Sequence, residues 1–348
     1  MTISLEALRR CSIAVDLGAA RTRVYLRRTG LIVDEPTVAA VNTHTGGLIA
    51  VGTLAQRMTG RTPAHIRVVR PVSNGTVVDI EMAQRMLRLL LGNKLRRAWR
   101  RRPLVSAAVC VQHDADPLAQ RAAMETLTGI GAKRVELVDT LIAAAVGCGL
   151  PVERPEATMI VVCGAATTQV AVLSLGSIVA AERVPVGGET VDHAVIQYLR
   201  NEHALMLPSQ AVRPLHLIVK DSAGGADGAP AVQSAEVHGR DVATGLARTV
   251  RIDVEGVRTA IRTPLTGVLD AIGAVLRRCP PDLVADLADR GIMLAGGSAA
   301  LPGFDTMLRE ATGMPLNIAD HPDVCAVEGL GAMLDGKVQP LLLDAMVS

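Results

Sequence analysis

The chemistry this chain could carry is concentrated in two short turns. In the first, the apolar strand Ser12–Asp16 ends in a carboxylate and is followed by Leu17-Gly18-Ala19-Ala20-Arg21 and a second strand, Thr22–Arg27. In the second, the strand Met159–Val162 runs into Cys163-Gly164-Ala165-Ala166-Thr167-Thr168-Gln169 and then the strand Val170–Ser174. A strand, a small-residue turn and a returning strand let backbone N–H groups approach a phosphate closely. A phosphate site normally also needs carboxylates to hold Mg2+. Asp16 supplies one, but the same place in the second turn is Val162. The hairpins lie about 145 residues apart and read as an internal duplication, with a ligand held between the two halves.

The elements that must position these turns alternate between strand and helix, which indicates an α/β fold with mixed sheets. Val78–Leu91 and Asp116–Ile130 have helical spacing, the latter with Pro117 at its first turn. Leu104–Val111 and Val135–Val138 read as strands, and Leu141–Cys148 as a small-residue helix. The stretch Pro151–Ala157 separates the halves. Beyond it come a helix at Val191–His203, a strand pair turning near Thr244-Gly245, and a long helix Val254–Arg278 with a break at Pro264. A strand at Gly291–Leu294 and a last helix at Ala326–Leu334 complete the pattern. Ala157–Ala181 carries no charge and is long enough to cross a bilayer. Its internal glycines and two clusters of β-branched residues read instead as buried strands.

Composition narrows the function. The 348 residues are 49% hydrophobic and 20% charged, the balance of a folded globular chain of about two domains. Tyr25, Trp99, Tyr198 and Phe304 are the only aromatics, so a base-stacking nucleic-acid platform is excluded. A net charge of +2 gives no polyanion-binding field. The six cysteines are scattered without a CxxC pair, and the histidines have no ligand spacing, which argues against a metal centre or a disulfide framework. No apolar run follows Arg9 and Arg10, so no signal peptide is expected.

Short motifs spread along the chain carry a resemblance to a known family. They are Asp16-Leu17-Gly18 with Thr22, Asp34-Glu35-Pro36-Thr37, Val51-Gly52, Met58-Thr59-Gly60-Arg61-Thr62-Pro63 and Val69-Arg70-Pro71. They continue as Ala143-Ala144-Ala145-Val146-Gly147, Gly149-Leu150-Pro151-Val152, Val186-Gly187-Gly188 and Asp192. Gly239-Arg240-Asp241, Thr244-Gly245-Leu246, Asp289-Arg290-Gly291 and Gly296-Gly297 close the series. The chain resembles the MreB/Mbl bacterial actin homologues. The resemblance implies an actin-like, ribonuclease H-like duplicated fold with ATP and Mg2+ in a cleft between two lobes. It divides the chain into lobe I at 1–150, completed by 320–348 and with a small subdomain at 36–70, and lobe II at 151–319, with a small subdomain at 190–247. Family members polymerise on membranes into antiparallel double filaments that direct cell-wall synthesis.

Carried over by position, the resemblance places Asp16 at the metal, and Gly18, Ala19, Ala20 and Arg21 in the first phosphate loop. Gly164, Ala165, Ala166, Thr167 and Thr168 form the second loop. There the family's Asp is Val162, and two of its glycines are Ala165 and Ala166, which would strain a turn with positive φ. The family's water-orienting Glu is Thr140, which cannot act as a carboxylate base, and Asp139 lies one residue away. Gly187, Gly188 and Asp192 remain. Arg213 and His216 stand where a Glu and a Lys meet the ribose, with Pro214 expected to interrupt that helix. Gly296, Gly297 and Ser298 meet the adenine.

These departures lead to the expectation of a cytoplasmic, membrane-associated cytoskeletal protein that can bind ATP but hydrolyses it weakly or not at all. The altered second loop argues against Mg2+. Partners would be a second copy or an MreB paralogue, together with the wall-synthesis machinery; no nucleic acid is expected. Leu89, Leu90 and Leu91, running into Arg96, Arg97, Trp99 and Arg100, form a candidate membrane patch, with Ile3, Leu5 and Leu8 as a shorter one. The alternatives are a non-polymerising regulator of intact filaments, or an active ATPase of the actin and sugar-kinase superfamily.

Overall fold

The structure, a computed structural model, describes residues 5–99, 106–208, 211–222 and 233–338. The chain opens with α1 (Leu5–Arg9) and a three-stranded meander, β1 (Ile13–Leu17), β2 (Arg21–Leu26) and β3 (Gly30–Pro36). A small sheet follows, built from β4 (Ala39–Asn42), β5 (Leu48–Val51) and, after α2 (Thr53–Met58), β6 (Ile66–Val69). The hairpin β7 (Val72–Ser73) and β8 (Thr76–Val77) leads to α3 (Ile80–Trp99), β9 (Ser106–Val111), α4 (Pro117–Gly129), β10 (Arg134–Asp139) and α5 (Thr140–Gly147). The second half repeats the meander as β11 (Thr158–Cys163), β12 (Thr168–Ser174) and β13 (Ser177–Val184). Next come α6 (Gly188–His203), β14 (Leu205–Met206), α7 (Arg213–Ser222) and the pair β15 (Ser234–Asp241) and β16 (Ala247–Asp253). The chain continues through α8 (Val254–Arg278), α9 (Pro281–Arg290), β17 (Ile292–Ala295), α10 (Phe304–Thr312), β18 (Leu316–Ile318) and α11 (Cys325–Asp335).

The duplication is visible in the strand order. The first large sheet runs β10-β9-β1-β2-β3 and the second β18-β17-β11-β12-β13, each an antiparallel meander extended by two parallel strands. The two central turns match residue for residue. Leu17 pairs with Thr22 as Cys163 pairs with Thr168, and Asp16 opposite Arg23 corresponds to Val162 opposite Gln169. The uncharged stretch around the second turn is explained by burial: every residue of β11 and β12 is buried.

Helices α5 and α11 lie between the two sheets. The first sheet presents Ala14 and Ala108 to Ala143, Leu330 and Leu334, and the second presents Ile160, Val162 and Ala171 to Leu141, Ala144 and Ala145. The opposite faces are closed by Leu87, Leu91 and Leu127 on the first sheet and by Ile261, Leu265 and Val268 on the second. Each fully buried Leu or Ile contributes about 1.5–3 kcal/mol. A Cβ on Gly329 would collide with the Ala143 carbonyl, and one on Gly147 with the Cys325 carbonyl, so small residues set the separation of these two helices.

Several expectations are corrected. Helix α8 is continuous through Pro264. The proline lacks an N–H, but the neighbouring turn is reinforced by the Thr263 hydroxyl, which donates to the Thr259 carbonyl at 2.9 Å. This helix is long and apolar enough to cross a membrane, yet Val257, Ile261, Leu265, Val268 and Ile272 place one face in the core of the second sheet. Pro214 does not interrupt α7 either. It is that helix's second residue, where a missing N–H costs nothing.

Candidate functional site

The first turn is held from behind by threonines. Gly18 N–H donates to the Arg21 carbonyl at 3.0 Å, and a Cβ on Gly18 would sit 2.8 Å from that same oxygen. The Thr37 hydroxyl donates to Gly18 O at 2.7 Å and lies 2.9 Å from the Thr22 hydroxyl, both side chains being fully buried. Arg21 turns back onto Asp34, with Nε 2.5 Å from Oδ1 and Nη2 2.8 Å from the backbone carbonyl. Asp16 projects beside Arg23, whose Nη1 is 4.0 Å from Asp16 Oδ2. Burial raises the Asp16 pKa, Arg23 opposes the shift and Asp34 adds to it.

The second turn repeats this geometry, with Gly164 N–H donating to Thr167 O at 2.9 Å. Neither Ala165 nor Ala166 has positive φ, so the expected strain is absent: this turn does not use the left-handed region. Glycine is needed instead in the segments packed against the turn. A Cβ on Gly187 would lie 2.5 Å from Ala165 O, and one on Gly296, at φ 91°, would strike the backbone of Cys163. The start of α6 fixes the turn through Gly188 N–H to Gly164 O (3.0 Å) and Glu189 N–H to Ala165 O (2.7 Å). The Ser298 hydroxyl also donates to Gly164 O, at 2.9 Å, while Gly297 faces open space apart from Asp323 Cβ at 3.8 Å. The Thr168 hydroxyl donates to Val186 O at 2.7 Å. Among the described residues, the N–H groups of Ala19, Ala20, Ala165 and Ala166 have no acceptor within the chain.

Polar contacts stitch the halves together around these turns. Gln112 Nε2 donates to the Thr167 hydroxyl, and Arg183 Nη1 to Gln112 Oε1, both at 2.7 Å. His113 N–H donates to Gln169 Oε1 at 2.8 Å. Arg70 reaches Glu189 Oε1 at 3.1 Å and Ala19 O at 3.3 Å. The Thr140 hydroxyl donates to Val111 O at 2.8 Å. Asp139 is engaged by His113 Nδ1 at 2.7 Å and caps α5 through Leu141 N–H at 2.8 Å. Burial raises the pKa of Asp139, partly offset by His113. On α6 and α7, Asp192 Oδ1 lies 3.5 Å from His216 Nε2, which joins two of the residues expected near the sugar. The side chain of Arg213 lies outside the described residues.

The MreB/Mbl protein family matches residues 10–340. This chain belongs to the MreB/Mbl family. It is 34% identical to cell shape-determining protein MreB of Escherichia coli strain K12 over 327 residues, 93% of each chain. It is 31% identical to cell shape-determining protein Mbl of Bacillus subtilis strain 168, covering 93% of this chain and 95% of that one. MreB5 of Spiroplasma citri, solved bound to AMPPNP, superposes with a TM-score of 0.84 at 27% identity, over 91% of this chain and 93% of that one. A MamK double helical filament superposes at 0.73 with 19% identity over 94% and 99%, a likeness of fold. The two sheets and their central helices are therefore the two lobes of an actin-like fold.

For a member of the MreB/Mbl family, this cleft does not fit Mg2+. Asp16 already faces the guanidinium of Arg23, and Val162 is packed against α5 with 8% of its surface exposed. Arg23 escaped the sequence reading, because an arginine in a hairpin strand looks like a solvated one. Alternation places it on the same face as Tyr25, and Tyr25 packs on α11, a signal that was available once α11 was assigned.

The membrane patch needs correction. Leu91 is fully buried and Leu90 packs partly into the same core, because both lie on the face of α3 that covers the first sheet. Leu89 alone of the three is open to solvent, at 54%. The side chains of Arg96, Arg97 and Trp99, and all of Arg100, lie outside the described residues. In the N-terminal candidate, Leu8 is fully buried and Leu5 packs beside it; Ile3 lies outside the described residues.

Proposed function

We propose that this chain is a cytoskeletal filament protein of cell-shape determination that binds a nucleotide between its lobes without hydrolysing it. The observation that carries the reading is the pair of matched turns. They leave four N–H groups, on Ala19, Ala20, Ala165 and Ala166, without an acceptor in the chain, while Val162 and Thr140 stand at the places of the acidic side chains that hydrolysis would need. ATP or ADP would contribute phosphates for those N–H groups. The chain would contribute the backbone cradle and the glycines at 187, 188 and 296 that permit it. His216 and Asp192 would border the sugar, and Gly297 and Ser298 the base.

The same reading makes a second copy or an MreB paralogue the partner, with lobe I at 1–150 and 320–348 and lobe II at 151–319. Membrane contact would come from Leu89 and the basic end of α3, and the wall-synthesis machinery would follow the filament. Electron microscopy of the purified chain with ADP, AMPPNP or no nucleotide tests assembly. Filaments support the reading. Only globular particles, together with altered filaments when an intact paralogue is added, would establish a regulator instead.

A further inference from the structure

Arg23 occupies an unusual position for an arginine. It stands on β2 directly opposite Asp16, with 7% of its surface exposed. Three carboxylates from separate segments surround its guanidinium: Asp34 Oδ1 is 3.1 Å from Nε, Asp323 Oδ2 is 3.0 Å from Nη2, and Asp16 Oδ2 is 4.0 Å from Nη1. Asp34 comes from β3, while Asp323 precedes α11 and lies beside Gly297 of the second lobe. A guanidinium keeps its charge at any physiological pH. In a buried site such a charge persists only if it is compensated, as it is here.

A divalent ion at a triphosphate neutralises the phosphates and shields them from nearby carboxylates. In this cleft the second turn carries no carboxylate to shield, because Val162 is apolar, and the carboxylate of the first turn already faces a cation. A metal drawn to Asp16 would have to take that carboxylate from Arg23, which already holds it together with Asp34 and Asp323. We infer that Arg23 occupies Asp16 in place of a divalent metal, and that this chain binds nucleotide without one. The inference rests on the proposed nucleotide site.

The test is equilibrium titration of ADP and ATP into the full chain, once in EDTA and once in excess Mg2+. The expected dissociation constants agree within about threefold between the two buffers. Tightening by about tenfold or more in Mg2+ overturns the inference while leaving the nucleotide site intact. Absence of binding in both buffers overturns the nucleotide site itself, and the inference with it. Arg23→Leu exposes the three carboxylates to the phosphates and should weaken binding in EDTA by about tenfold, with recovery in Mg2+. Unchanged binding by this variant in EDTA removes Arg23 from the account. If Arg23→Leu does not fold, Val162→Asp provides a second route: restoring the missing carboxylate should make tight binding depend on Mg2+, and a metal-insensitive Val162→Asp contradicts the inference.

Discussion

Gln112 Nε2 donates to the Thr167 hydroxyl at 2.7 Å and so ties the end of β9 in one lobe to the central turn of the other. Arg183 holds the second amide atom of Gln112, also at 2.7 Å, so one amide side chain links the end of β9, the turn before β12, and β13. Replacing Gln112 with Ala removes both bonds, at a cost of about 1–2 kcal/mol. The expected result is a melting temperature lower by about 2–4 °C and faster amide exchange across residues 164–168, read by hydrogen-exchange mass spectrometry.

The crossing of α5 and α11 allows no added atoms. Gly329→Ala would press a methyl group into the Ala143 carbonyl and force the helices apart. Overpacking of this kind costs about 1–3 kcal/mol. Thermal denaturation should show that loss, whereas Gly267→Ala on α8, with only Val186 Cγ2 at 3.5 Å from the added carbon, should leave the fold intact.

Asp241 caps the turn between β15 and β16. It accepts from Ala243 and Thr244 N–H at 2.9 and 2.8 Å and pairs with Arg248 at 2.8 Å. The Thr244 N–H and Arg248 hold its pKa down at about 2. A carboxylate whose folded pKa is depressed stabilises the fold above its unfolded pKa of about 3.9, and loses that contribution as pH falls toward the folded value. Melting temperature should therefore fall between about pH 4 and pH 2. Asp241→Asn should lack that component of the acid limb and be less stable at neutral pH.

Leu89 and Leu91 separate membrane contact from packing. Leu89→Ser should leave the melting temperature within about 1 °C and reduce sedimentation with anionic vesicles. Leu91→Ser buries a hydroxyl in a fully closed site and should cost about 2–4 kcal/mol. Vesicle binding unchanged by Leu89→Ser would remove this end of α3 from the membrane reading.

Much of the site was legible because it is local. Two strand–turn–strand units can be read along the chain, and the matching registers bear out the duplication; the places of Val162 and Thr140 follow from the family resemblance. What the sequence hid is set by tertiary contacts. Arg23 draws its partners from β3 and from a residue 300 positions away, and no local pattern announces that. Leu91 and Leu89 look alike in a leucine run, and only the packing of α3 on the first sheet tells them apart. Pro264 reads as a helix break, yet the core face of α8 carries the helix through it. Alanines in a glycine-type loop suggest strain, but the backbone there never enters the conformation that would cause it.

In the proposed function the lobes keep their architecture for assembly while the cleft lacks the groups that drive nucleotide cleavage. Phosphate release, measured on purified chain under assembly conditions with ATP and Mg2+ and beside an intact MreB, tests it most directly. The account predicts polymer in the pellet with phosphate release at the buffer background. Steady release at the rate of the intact protein would contradict it.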